Sequence, residues 1–263
     1  RKMPTKIDLE EIHEPLLEFG GVGEFTDPKE GLKQGGPFDL RFGTARKREI
    51  NIGFIGDEPT VIKAVSWINR CKNPIESKMA NLSQYPHFLG FEEVFRTSIN
   101  TNTLWNYIVD ARRLEDALSL KPNSNVFKAV LELFDEGLEK LSNSLNVKPD
   151  VIFCCLPKEI LDKCWSVTNE RVKTEDKKKA SSLSHQLSLF DAERNEPIEE
   201  QAEDILTRDF RRALKAKAMR HGIPIQIGTE KLFVDQQKNQ DASIRAWNSC
   251  IALYYKAGGI PWR

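Results

Sequence analysis

The run "INIGFIG", residues 50–56, followed almost at once by "PTVIKAVSWINRCKN", residues 59–73, decides the fold. The first run is apolar, carries Gly53 and Gly56, and ends on the second glycine, the pattern of a buried strand. A proline then opens a segment in which Val61, Ile62, Val65, Ile68 and Asn69 form a helical stripe. The alternation continues. "TLWNYIVDA" predicts a second strand, and "NVFKAVLELFDEGLEKLSNSL" an amphipathic helix with Val126, Val130, Leu131, Leu133, Phe134, Leu138 and Leu141 on one face. "DVIFCCLP" is apolar enough for a strand covered on both sides. "EDILTRDFRRALKAKAMRHG" predicts a helix closed by Gly222, and "IPIQIG" the strand after it. "DASIRAWNSCIALYYKAGG" predicts a last helix, with Asp241 as N-cap and Gly258 as C-cap. Repeated βα units imply an α/β fold: a Rossmann-like domain whose parallel sheet is flanked by helices, with ligands beyond the carboxyl ends of its strands.

Around this domain, which spans 46–263, the composition changes twice. Residues 1–45 contain the Gly- and Pro-rich "EPLLEFGGVGEFTDPKEGLKQGGPFDLRFG", expected to form an extended arm of turns and short strands laid on a neighbour. Residues 173–203 form a polar insertion. Within it "QLSLF", with Gln186, Leu189 and Phe190, resembles the pentapeptide by which bacterial replication proteins dock on the sliding clamp. The plainer reading is a few apolar residues that anchor a loop to its own domain.

The chain has 263 residues, 40% hydrophobic and 30% charged, with formal net charge zero, so nucleic-acid binding needs a local patch rather than overall charge. No apolar run approaches the eighteen or so residues of a membrane span. No charged-then-apolar leader is seen. Five cysteines without CxxC spacing favour neither a disulfide framework nor a zinc site. Together these features predict a cytoplasmic protein with no membrane partner.

That patch is visible in residues 205–221. Ile205, Leu206, Phe210 and Leu214 supply the buried stripe, while Arg208, Arg211, Arg212 and Lys215 occupy an adjoining face. Arg211 and Lys215 are one helical turn apart, where two cations repel mildly and a shared anion reverses the cost. A solvated basic face is the alternative. Gln226 is a polar residue within "IPIQI", and Lys256 is a cation among apolar neighbours that needs a partner. Gly258 and Gly259 behind it permit close backbone approach. Arg with its planar fork and Lys with its compact charge suit a terminal phosphate.

The set Arg211-x-x-x-Lys215, Gln226 and Lys256-x-Gly-Gly resembles the guide-binding MID domain of Argonaute proteins. The stretches "EPLLEFGGVGEFTDPKEGL" and "LYYKAGGIPWR" are similar to the short prokaryotic members. The resemblance covers both ends of the chain and 205–263; the middle matches in βα pattern only. It implies that Lys215, Gln226 and Lys256 hold the 5′ phosphate of a guide RNA or DNA, with Asn248 as a further polar group facing it. Arg211 stands where many relatives carry a tyrosine, and its guanidinium would stack on the first guide base. The family often adds Mg²⁺ beside the phosphate, although no carboxylate in this set marks the ion. It also implies a single-stranded DNA target, a role in prokaryotic defence, and an effector protein bearing an APAZ region with a TIR, SIR2 or nuclease domain, which the arm would help to hold. In the family an RNase H-like PIWI domain follows the "GGIPWR" junction. The chain ends there, and no catalysis is expected from it. The alternative is a Rossmann-like nucleotide-binding enzyme domain using Gly53 and Gly56, where the third glycine of GxGxxG is missing.

Overall fold

A computed structural model describes residues 14–21, 23–143, 148–165, 209–233 and 241–263. The expected fold is present: an α/β domain with a mostly parallel five-stranded sheet between helices, Rossmann-like in its layering. The deciding run forms the central strand β3, Glu49–Gly56, after a short antiparallel hairpin of β1, Leu17–Glu18, and β2, Glu24–Phe25. On one side β3 pairs with β4, Ser98–Asn100, and further along with β5, Asn106–Ile108. On the other side it pairs with β6, Val151–Leu156, which pairs in turn with the edge strand β7, Ile225–Thr229.

Side-chain alternation along β3 splits the core in two. Ile50, Ile52 and Phe54 face one side, where Val61, Ala64, Trp67, Trp247, Leu253 and Tyr254 cover them. Ile55 faces the other, with Ile152, Cys154, Val130, Phe134 and Leu214. The first layer contains α2, Glu58–Arg70, and α3, Phe91–Phe95. The second contains α4, Ala111–Ser119, α5, Asn123–Ser142, α6, Lys158–Trp165, and α7, Phe210–Arg220. A four-residue helix α8, Glu230–Phe233, follows β7, and α9, Ala242–Lys256, lies in the first layer with its amino end capped by Asp241. Each buried Phe or Leu side chain contributes about 1.5–3 kcal/mol, so both layers are held mainly by this packing.

Several local expectations need correction. Ile62 is exposed; Trp67 and Ala64 take the inward positions of α2. "TLWNYIVDA" is only partly strand, because Asn102 caps the amide of Leu104 and starts a 3₁₀ turn, Thr103–Trp105. Ala257 is the C-cap of α9, and Gly258 follows it at φ 96°, where a glycine is needed to leave the helix. All five cysteines are buried free thiols, and burial raises that of Cys164 to about 12.

The arm is less extended than its composition implies. It forms a helix, α1, Pro28–Gly35, and a kinked 3₁₀ segment, Phe38–Ala45. Its neighbour is the carboxyl end of the same chain. Glu18 and Arg263 exchange backbone hydrogen bonds of 2.9 and 3.2 Å, and the Phe38 amide donates to the Pro261 carbonyl at 3.1 Å. The buried Asp39 carboxylate accepts from the Tyr254 hydroxyl at 2.7 Å and from the Ile260 amide at 3.1 Å. Burial and that carboxylate both push the Tyr254 phenol upward, so it stays a donor. Residues 166–208 lie outside the described residues, and with them Ile205, Leu206, Arg208 and the "QLSLF" stretch with Gln186, Leu189 and Phe190.

Candidate anion-binding cleft

The edge strand β7 forms the floor of a cleft whose walls are α7 on one side and α8 and α9 on the other. The cavity is about 510 Å³. Arg211 and Lys215 reach it from α7, Gln226 from β7, and Asn248 and Lys256 from α9. These are the five residues singled out from the sequence, and the fold brings them together.

Packing explains how the walls are aimed. Phe210 stacks edge-on against Phe127 and Phe134 of α5, at 5.5 and 6.1 Å between ring centroids, and Leu214 is fully buried one turn later. With that stripe fixed, Arg211 and Lys215 are left exposed on the cleft side. On α9, Ser243 and the Trp247 indole both donate to the Pro86 carbonyl, at 2.6 and 3.3 Å, anchoring the helix from behind.

Lys256 is held from within the chain by two hydrogen bonds. Its ammonium donates to the Ile225 carbonyl at 2.8 Å and to Gln226 Oε1 at 2.7 Å, while the Gln226 amide donates to the Ile227 carbonyl at 3.2 Å. Two of its three ammonium donors are thereby directed by oxygens of β7. Burial lowers the pKa of Lys256, and the nearby charge of Lys215 lowers it further. An anion between the two relieves both effects.

Sequence reasoning missed two cations. Lys231 and Arg245 also line the cleft, with Thr229 and Ser249 beside them. Arg245 is 3% exposed, lies 4.9 Å over the Trp67 ring, and donates to the Leu232 carbonyl at 2.7 Å. Its signal was the one that marked Lys256, a cation at an inward position of an apolar helix. Lys231 has no such signal, because the turn that carries it has no periodicity. Arg212 does not belong to the cleft: it is exposed and pairs with Asp209 at 3.5 Å. Gly258 and Gly259 do not line it either; an added Cβ at Gly259 would meet the Tyr254 ring at 2.4 Å, so that glycine serves packing.

Among the described residues, five cationic side chains and no carboxylate thus line one cavity. No protein-family model and no curated protein matches the chain. The functional reading accordingly rests on the residues and their geometry.

A resident Mg²⁺ does not fit the cleft, since the ion favours carboxylate and phosphate oxygens and this lining is cationic. Among the described residues no group of three or more His, Cys, Asp or Glu side chains could hold a metal. Gly53 lies within β3 and Gly56 ends it; an added Cβ on Gly56 would lie 2.6 Å from the Cys155 carbonyl, and one on Gly53 would lie 3.0 Å from the Trp105 carbonyl. These glycines admit neighbouring backbone rather than a cofactor. The described residues contain no helix long and apolar enough to cross a membrane.

Proposed function

We propose that the chain is a binding module for the 5′-phosphorylated end of a nucleic-acid strand, with the phosphate seated between Lys215, Gln226 and Lys256. The observation that carries this reading is the convergence of five cations on one cleft with no carboxylate among its described lining residues. At an effective dielectric of about 20, two unit charges about 6 Å apart interact by roughly 3 kcal/mol. Gathering cations there costs stability that packing alone gives no reason to spend, and a bound phosphate reverses the sign. A merely solvated basic face would not half-bury Lys256.

The likeness to short prokaryotic Argonautes extends the proposal. The strand is then a guide RNA or DNA, the target single-stranded DNA, and the output the activation of an APAZ-bearing effector in defence against invading DNA. Arg211 would stack on the first base. No reaction is assigned to the described residues.

The test compares 5′-phosphorylated and 5′-hydroxyl oligonucleotides of one sequence. The parent chain should prefer the phosphorylated form, and Lys215→Ala and Lys256→Ala should each remove that preference. A nucleotide-using enzyme would behave differently: NAD or ATP would raise its melting temperature, and the oligonucleotide terminus would not matter.

A further inference from the structure

The α8 wall of the cleft is a single helical turn of four residues, Glu230–Phe233, and it carries Lys231 into the lining. One turn is too short to hold its shape unaided. At its end Phe233 is buried against Phe153, with 5.6 Å between ring centroids. At its start Glu230 is fastened twice. One carboxylate oxygen accepts from Lys63 of α2 at 2.8 Å, and the other accepts from the amide of Lys158, the first residue of α6, at 3.3 Å. Amides in the first turn of a helix have no acceptor within it, and the positive end of α6 favours a negative charge. The hydrogen bond from Lys63 also holds the Glu230 carboxyl below its usual range, so the group stays charged. Between these two anchors the Lys231 and Leu232 carbonyls accept from the Arg245 guanidinium, at 3.4 and 2.7 Å. Two of the five cleft cations therefore follow α8, one carried by it and one bonded to it.

We propose that Glu230 is a positioning residue for the cleft: its carboxylate, which does not line the cavity, ties α8 to α2 and α6 and thereby sets Lys231 and Arg245 for the anion. The role rests on the cleft being a phosphate site. Adjacency supports it, because Glu230 precedes Lys231 and a shift of the one moves the backbone of the other. Exposure supports it too. The Lys63 side chain is 49% exposed and that of Glu230 31%, and an ion pair so open adds little to stability. Its value lies in where it puts α8.

Charge and positioning predict opposite signs for one substitution. If charge were all, deleting a carboxylate beside a cationic cleft would tighten anion binding or leave it unchanged. Positioning predicts a loss. In the full chain, Glu230→Gln should weaken a 5′-phosphorylated oligonucleotide and inorganic phosphate about three- to tenfold, the scale for residues that act without touching the ligand. The titration is run where denaturant unfolding shows the variant to be folded, so that a stability change by itself does not enter. Lys63→Met removes the other half of the pair from an exposed position. It should lower the affinity ratio of 5′-phosphorylated to 5′-hydroxyl strand at physiological salt, and Glu230→Gln should then add less than it does in the parent. Unchanged or tighter phosphate binding by Glu230→Gln overturns the inference. So does a loss from Lys63→Met that both strands share and that salt erases, which is the mark of charge. If the parent prefers the 5′-phosphorylated strand and Glu230→Gln keeps that preference in full, only the role of Glu230 falls; if the parent shows no preference, the reading of the cleft falls and this role with it.

Discussion

The two sides of α7 carry the same kind of side chain and treat it in opposite ways. Away from the cleft, Lys217 donates to Asp135 of α5 at 2.6 Å, and His221 meets the other oxygen of that carboxylate at 2.8 Å. The pair of bonds outweighs burial and holds Asp135 below the usual carboxylate range. Toward the cleft, Arg211 and Lys215 line the same cavity as Lys231, Arg245 and Lys256, with no carboxylate among the described lining residues. A third place gives the same contrast. At the carboxyl end of the sheet, where a Rossmann-like domain commonly binds its ligand, Glu230 accepts from Lys63 at 2.8 Å and from the Lys158 amide at 3.3 Å. Charge matched from within the chain serves the fold. Charge in the cleft is gathered beside other cations, and the proposed function takes that gathering as the mark of an anion site.

The largest effect should come from Lys256→Ala. A hydrogen bond to a charged group contributes about 1.5–3 kcal/mol, so affinity for a 5′-phosphorylated strand should fall by about 10- to 150-fold in a binding titration. Lys215→Ala should fall in the lower part of that range. The opposite side of α7 supplies the control. Lys217→Ala should leave phosphate affinity within about twofold and cost at most about 1 kcal/mol in denaturant unfolding, as for a part-exposed ion pair. Equal losses from Lys217→Ala and Lys215→Ala would erase the contrast between the two sides. Arg212→Ala, with its exposed partner Asp209, should have the smallest effect, a slight change in salt dependence.

The lowered pKa of Lys256 makes the contrast sharper still, because binding and stability should respond to pH with opposite signs. Anion affinity needs the charged form and should decline as pH rises through that lowered value, before an ordinary lysine near 10.4 titrates. Between the two values the unfolded chain holds a proton that the folded chain has lost, so stability from this group rises with pH. Denaturant midpoints of the parent and Lys256→Met, measured from pH 8 to 10, should show this gain in the parent alone. A loss in the parent over that window would reverse the assignment.

Legibility in the sequence followed periodicity. β3, α2, α5, β6, β7 and α9 were readable because burial on one or two faces imposes a pattern of two or three to four residues. β4, with three residues, carries too little pattern; α4 does carry a helical stripe, Leu114, Ala117 and Leu118, which went unread. The arm misled for another reason: its glycines predict turns, but its partner, the last four residues of the same chain, is distant in sequence and close only in the fold. For the cleft, the residues on patterned elements could be found, since a cation or amide stands out against an apolar stripe. Which side of α7 a given arginine takes could not be found, because Arg211 and Arg212 differ by one position and the choice is set by how Phe210 and Leu214 pack in the fold.

The most direct measurement is the affinity ratio of 5′-phosphorylated to 5′-hydroxyl oligonucleotide for the unmodified chain, taken at low and at physiological salt. Both strands should weaken with salt, since backbone contacts release counterions. The ratio should stay at about tenfold or more, because the terminal phosphate is held by fixed donors in a partly buried cleft. A ratio near one at either salt would contradict the account and leave only a basic surface.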